Sequence, residues 1–249
     1  MMTTVSRTAA HPDPVDLERR TSLAAGVLYL ITFVSIPTLF LYDTVHTDPN
    51  FITGPGPDNL VIIGGVLEII VALAGIGTAV TLYPVVKRQN ESVALAFVGA
   101  RVLEAAAIVA GVVALMAIVS LRQTGAGPDA VVTGRTLVLV YDWFFTLGQS
   151  LMPVVNAVLL GSLLYRSRLV PRILPLIGLA GAPLLLISDL GVLFGLWDRV
   201  STPPAVLALP IAVWEFSLGV YLVVKGFKPA PILIRNDPPV QPPSALASR

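Results

Sequence analysis

Cysteine is absent, and the 249 residues include only two histidines, His11 and His46. The first absence excludes disulfides, thiolate nucleophiles and iron–sulfur clusters. The second excludes a zinc site built on histidine, since both histidines also lie outside the apolar stretches. Charge is scarce too. Asp, Glu, Lys and Arg make up 12% of the chain, about half the roughly 25% of a soluble globular domain. A net charge of +1 supplies no field for nucleic acid. There is no Gly-x-Ser-x-Gly and no phosphate-cradling glycine loop, because Gly54-Pro55-Gly56-Pro57 reads as a turn. No cofactor or metal is expected from this inventory.

What the chain has in quantity is apolar sequence: 55% of residues, with a mean hydropathy of +0.83. Six stretches stand out, at about 22–42, 59–84, 92–121, 136–165, 173–196 and 204–225. A helix rising about 1.5 Å per residue crosses about 30 Å of hydrocarbon in some 20 residues, so each is long enough. The expectation is an all-α polytopic membrane protein, a bundle of six transmembrane helices forming one domain over residues 21–228. Residues 1–20 read as a disordered arm, since no apolar core precedes Arg20 as a signal peptide would require. Residues 229–249, rich in proline, read as a disordered tail. Pro37, Pro153, Pro183 and Pro210 fall inside apolar stretches, whereas Pro84 and Pro171 read as boundary markers.

Lysine and arginine set the orientation. With the tails included, one side of the proposed topology holds twelve basic residues and the other three, Arg122, Arg135 and Arg199. Both termini are therefore expected in the cytoplasm, with the protein in a bacterial inner membrane.

Six ionisable residues fall inside the apolar stretches: Glu68, Arg101, Glu104, Asp142, Asp189 and Glu215. Each charge at mid-bilayer costs at least about 2.5–3.5 kcal/mol, so such groups persist only with partners or water, and are functional candidates by default. Arg101 and Glu104 lie three apart on one helical face. Arg101 is expected to bridge Glu104 and one of Glu68 or Glu215. Asp142, Gln149 and Asn156, spaced by seven, form one stripe of a regular helix, close to Thr146 and Pro153. The candidate ligand-binding set is thus Arg101, Glu104, Glu68, Asp142, Gln149, Asp189 and Glu215. Two readings stay open. In one, the set lines a polar cavity for transport, permeation or sensing of a cation or small polar ligand. In the other, the charges organise packing in a structural or regulatory subunit. A membrane-embedded enzyme is the least supported: Tyr141-Asp142 and Asp189 are similar to an intramembrane aspartyl protease pair, but Leu186-Ile187-Ser188-Asp189 departs from its Gly-x-Gly-Asp motif. Gly191-x-x-x-Gly195 and Ala107-x-x-x-Gly111 are read as packing within the bundle.

Three runs carry a family resemblance: Leu82-Tyr83-Pro84-Val85-Val86-Lys87, Ala100-Arg101-Val102-Leu103-Glu104-Ala105, and the stretch from Leu160 through Tyr165, Arg166, Ser167, Arg168 and Pro171-Arg172 to Leu174. They resemble the DUF4386 family of bacterial multi-pass membrane proteins, over about residues 20–225. The resemblance implies a polytopic helical fold and no activity. It also implies that Tyr165, Ser167, Pro171 and Arg172 form a defined cytoplasmic loop. Arg166, Arg168 and Arg172 there are candidates for anionic lipid headgroups, although topology alone also explains them. Membrane lipids are the expected partners, with no protein partner specified.

Overall fold

A computed structural model of the protein describes residues 14–54 and 56–233. Among these residues the chain is helical without a strand, and six helical segments are long and apolar enough to cross a membrane. The protein is a multi-pass membrane protein.

The first span is broken. Helix α1 (Pro14–Ile31) gives way to a 3-10 turn at Thr32–Ser35, then to short helices α2 (Thr38–Leu41) and α3 (Asp43–Thr47). Pro37 is the cause: it cannot donate to the carbonyl of Phe33, four residues back, and the amide of Ile36 takes that carbonyl instead at 3.2 Å. Helix α1 starts earlier than the sequence suggested, so residues 14–20 are helical; residues 1–13 lie outside the described residues. Arg19 gives this extra turn a function, donating to the carbonyls of Leu222 (3.1 Å) and Val223 (2.7 Å). Those carbonyls end the last helix, where a cation is favoured. At the other end, Ala230 is buried and Pro231–Leu233 form a 3-10 turn, which leaves residues 234–249 of the expected tail undescribed.

Helices α4 (Asp58–Val86) and α5 (Glu91–Gln123) are the second and third spans. Pro84 lies inside α4 rather than at its boundary. The fourth span has three parts: α6 (Ala130–Phe144), a π-helical turn (Phe145–Ser150) and α7 (Leu151–Ser167). Pro153 removes the donor that would pair with Gln149, and the wider turn absorbs the mismatch. Ala107 and Gly111 of α5 seat this turn, facing Gly148 and the Tyr141 and Phe144 side chains. That pair therefore packs within the bundle, as expected. Helices α8 (Ile173–Leu193) and α9 (Thr202–Val224) complete the set. Gly191 lies under the Trp197 ring, but Gly195 is a helix stop at φ +69° with a bond from Leu196 N to Gly191 O of 2.8 Å, not a packing residue.

The spans form a closed ring in chain order, because α1 packs on both α4 and α9. Around the middle and the terminal half the ring is filled by Tyr29, Leu82, Phe97, Leu160, Trp214 and Leu218. A second core around Tyr42, Phe51, Leu115, Ile118 and Tyr141 fills the half away from the termini, on the α4–α6 side only. The α8–α9 side of that half holds a cavity.

Candidate functional site

Arg101 lies 4% exposed at the base of the cavity. Its Nη1 donates to Glu104 at 3.0 and 3.3 Å, and its Nη2 reaches across the ring to Glu215 on α9 at 2.8 Å. Asn156 on α7 donates to Glu104 at 2.7 Å. One guanidinium thus joins two carboxylates from facing helices, and Glu215, not Glu68, is the second partner. Gly75 on α4 faces the arginine, and a Cβ there would make ordinary contact with its Cδ at 3.9 Å. Tyr29 and Phe97 present their rings to the guanidinium at 5.6 and 5.8 Å. Cation–π contacts of this kind tolerate a buried cation better than aliphatic packing does. With Leu82, Leu160 and Leu218 beneath them, these rings close the route toward the terminal face.

Above the triad the cavity encloses about 780 Å³. Its walls include Phe33, Ile36, Leu39, Phe145, Val192 and Ala208, and its polar groups include Gln149, Ser150 and Asp189 as well as the triad. It extends to Arg199 and Ser201, in the loop between α8 and α9, and to Thr202 at the start of α9, on the face away from the termini. Asp189 is 6% exposed. Its Oδ1 accepts from the Ser150 hydroxyl at 2.6 Å, and its buried Oδ2 has no partner among the described residues.

Two of the seven candidates stand apart from this cavity. Asp142 accepts from Arg199 at 2.7 Å and pairs with His46 at 3.0 Å, joining α3, α6 and the α8–α9 loop. Glu68, fully buried, accepts from the Tyr141 hydroxyl at 2.7 Å, and its Oε2 makes no hydrogen bond among the described residues. The seven-residue stripe fails for a definable reason: it assumes a regular helix, whereas the π-helical turn at Phe145–Ser150 changes the rotation per residue. Gln149 lines the cavity, Asn156 supports Glu104, and Asp142 points to the surface network.

Reading the sequence passed over His46, Arg199, Tyr141 and Ser150. Arg199 alone left a signal, as one of only three basic residues on a side that also carries the intramembrane Asp142. A carboxylate near the bilayer edge seeks such a base. Tyr141 gives a direct test. Because Tyr141→Phe removes the hydrogen bond that the Tyr141 hydroxyl donates to buried Glu68, it is expected to lower stability by about 1–3 kcal/mol. The double variant Tyr141→Phe/Glu68→Met is expected to recover most of that loss, since it removes both polar groups together. Thermal unfolding of detergent-solubilised protein, followed by tryptophan fluorescence, reads both.

Of the candidates where α7 passes into α8, Arg166, Arg168 and Arg172 are all exposed. Tyr165, Arg166 and Ser167, expected in the loop, belong to the last turn of α7; the loop begins at Arg168, which adopts a left-handed conformation at φ 58°, and Leu169 and Val170 turn inward and are buried. Arg172 stacks over Tyr165 at 4.9 Å, and the amide of Lys228 donates to Leu169 O at 2.7 Å.

The Arg101–Glu104 helix face and this loop are the two places where sequence pattern and geometry coincide most closely. A comparison with family models matches the family described as "Domain of unknown function (DUF4386)" over residues 24–226. The chain belongs to the DUF4386 family. That match takes in all six spans of the ring. No curated protein and no solved structure matches the chain.

Proposed function

We propose that this DUF4386 protein binds a cation or small polar ligand in the cavity above Arg101, for transport or sensing across a bacterial inner membrane. The observation that supports this reading is the cavity itself. About 780 Å³ is left open beside a buried charge triad, although filling it with apolar side chains is what stability alone favours. Access is one-sided: the cavity reaches the α8–α9 loop, while the Tyr29 and Phe97 layer closes the other direction. The topology that fits has both termini in the cytoplasm and the cavity facing outward, with Arg166, Arg168 and Arg172 at the cytoplasmic headgroups.

A packing role for the charges is the second reading, supported by the pairing of Glu68, Glu104, Asp142, Asp189 and Glu215 with at least one donor each. The cysteine-free chain makes the distinction measurable. Single cysteines at Ala212, on the cavity wall, and at Ala157, buried below the triad, are exposed to a small membrane-impermeant thiol reagent. In oriented vesicles, Ala212→Cys is expected to react from the outer side and not from the inner side, while Ala157→Cys reacts from neither. An unreactive Ala212→Cys refutes the open cavity and leaves the packing role.

A further inference from the structure

We infer that the ligand of this cavity is a lipophilic organic cation, an ammonium or phosphonium centre carried on an apolar body, whose charge is met by Asp189. This rests on the reading of the cavity as a ligand site and adds the chemistry of the occupant.

The charge balance comes first. Among the groups lining the cavity, Arg101 faces two carboxylates, Glu104 and Glu215, and Asp189 has only the neutral Ser150 hydroxyl. Arg199 also lines the cavity, but its guanidinium is held by Asp142 at 2.7 Å and stacked on Phe145 at 4.6 Å. The site is therefore short of positive charge. The shortfall is localised at Asp189: the residue lines the cavity, and among the described residues its carboxylate has a neutral hydroxyl and no base as partner. A buried carboxylate without a counter-charge is costly, and a bound cation removes that cost.

Size and wall chemistry then choose the class of cation. No cluster of three or more metal-ligating side chains occurs among the described residues. A hard divalent ion, which usually takes more than one carboxylate, meets a single uncompensated carboxylate here. The volume of about 780 Å³ is that of a site for an organic molecule. Apolar surface, from side chains that include Phe33, Ile36, Leu39, Phe145, Leu185 and Val192, makes up most of the wall. Such a surface favours hydrocarbon around the charge and adds aromatic faces for the cation.

The route fits the same ligand. Below, the first span and α9 meet closely at Gly26 and Gly219 and again where Phe33 and Phe216 stack at 5.4 Å. Past that pair, the cavity runs between Ile36 and Leu39 on one side and Ala205, Ala208 and Ala212 on the other. Ile36 and Leu39 are more than half exposed, so the same side chains face the lipid and the cavity. A cation partitioned into the outer leaflet meets an apolar passage that ends at a carboxylate.

The test uses full-length protein in lipid nanodiscs and radiolabelled tetraphenylphosphonium, read by scintillation proximity. Saturable binding is expected, unaffected by equal ionic strength of sodium or potassium chloride. Asp189→Asn is expected to weaken it by about tenfold or more, the loss of one charge-assisted contact. Asp189→Glu is expected to retain most of it. Size-exclusion profile and unfolding temperature show that each variant is folded. Binding that is displaced equally by sodium, or that Asp189→Asn leaves unchanged, overturns the assignment. No binding to a protein whose Ala212→Cys variant reacts with the impermeant reagent overturns the ligand class and leaves the cavity reading intact. No binding and no reaction overturns both.

Discussion

Arg101→Leu is expected to lower stability by about 3–5 kcal/mol, or to prevent recovery of folded protein. The loss comes less from the arginine's own contacts than from what it leaves behind. Glu104 keeps only the Asn156 amide at 2.7 Å, and Glu215 on the opposite helix keeps no donor among the described residues. Two carboxylates are then buried in the bundle without a cation. Glu104→Gln/Glu215→Gln on the same background replaces both with neutral groups of similar shape, and is expected to restore a large part of the stability. Thermal unfolding in detergent, with yield after size exclusion, distinguishes the two variants. If Arg101→Leu alone is as stable as wild type, the triad does not hold the ring together.

Gly26→Ala is the second large effect, and it adds a single methyl. A Cβ at Gly26 meets the backbone carbonyl of Gly219 at 2.7 Å and the backbone amide of Val223 at 2.8 Å. Neither atom belongs to a flexible side chain, so α1 and α9 have to move apart. This contact closes the ring by joining its first and last spans. Overpacking of this kind costs about 1–3 kcal/mol, and the upper end is expected because backbone must shift. Gly99 on α5, with nothing within 4 Å of an added Cβ, is the control. Gly99→Ala is expected to be neutral or to stabilise by up to about 1 kcal/mol through helix propensity alone. Equal unfolding temperatures for the two variants contradict the close α1–α9 contact.

These two residues show how differently the parts of the protein could be read in advance. Arg101 announced itself, because an arginine inside an apolar stretch has few tolerable environments. Gly26 did not: nothing separates it from Gly99 in the sequence, since both are glycines in apolar helices. Only the neighbour across the interface gives one a role and leaves the other free.

The same division runs through the whole molecule. Hydropathy and length determined the six spans, because a spanning helix satisfies its own backbone and needs only about 20 apolar residues to do so. The spacing of Arg101 and Glu104 determined their pairing, since residues three apart share a helix face. Long-range choices belonged to the tertiary structure. Arg101 takes Glu215 rather than Glu68 because it packs against Gly75 of α4, about two helical turns from Glu68, at the depth where Glu215 faces it from α9. Asp142 leaves the cavity because a π-helical turn ahead of Pro153 breaks the regular rotation that the seven-residue spacing assumes. Asp189 has a hydroxyl and no base as its partner among the described residues, because packing brings Ser150 and not a lysine or arginine beside it. Periodicity fixes which side chains share a face of one helix, but a partner on another helix depends on packing, and packing is a property of surfaces that meet only in the folded chain.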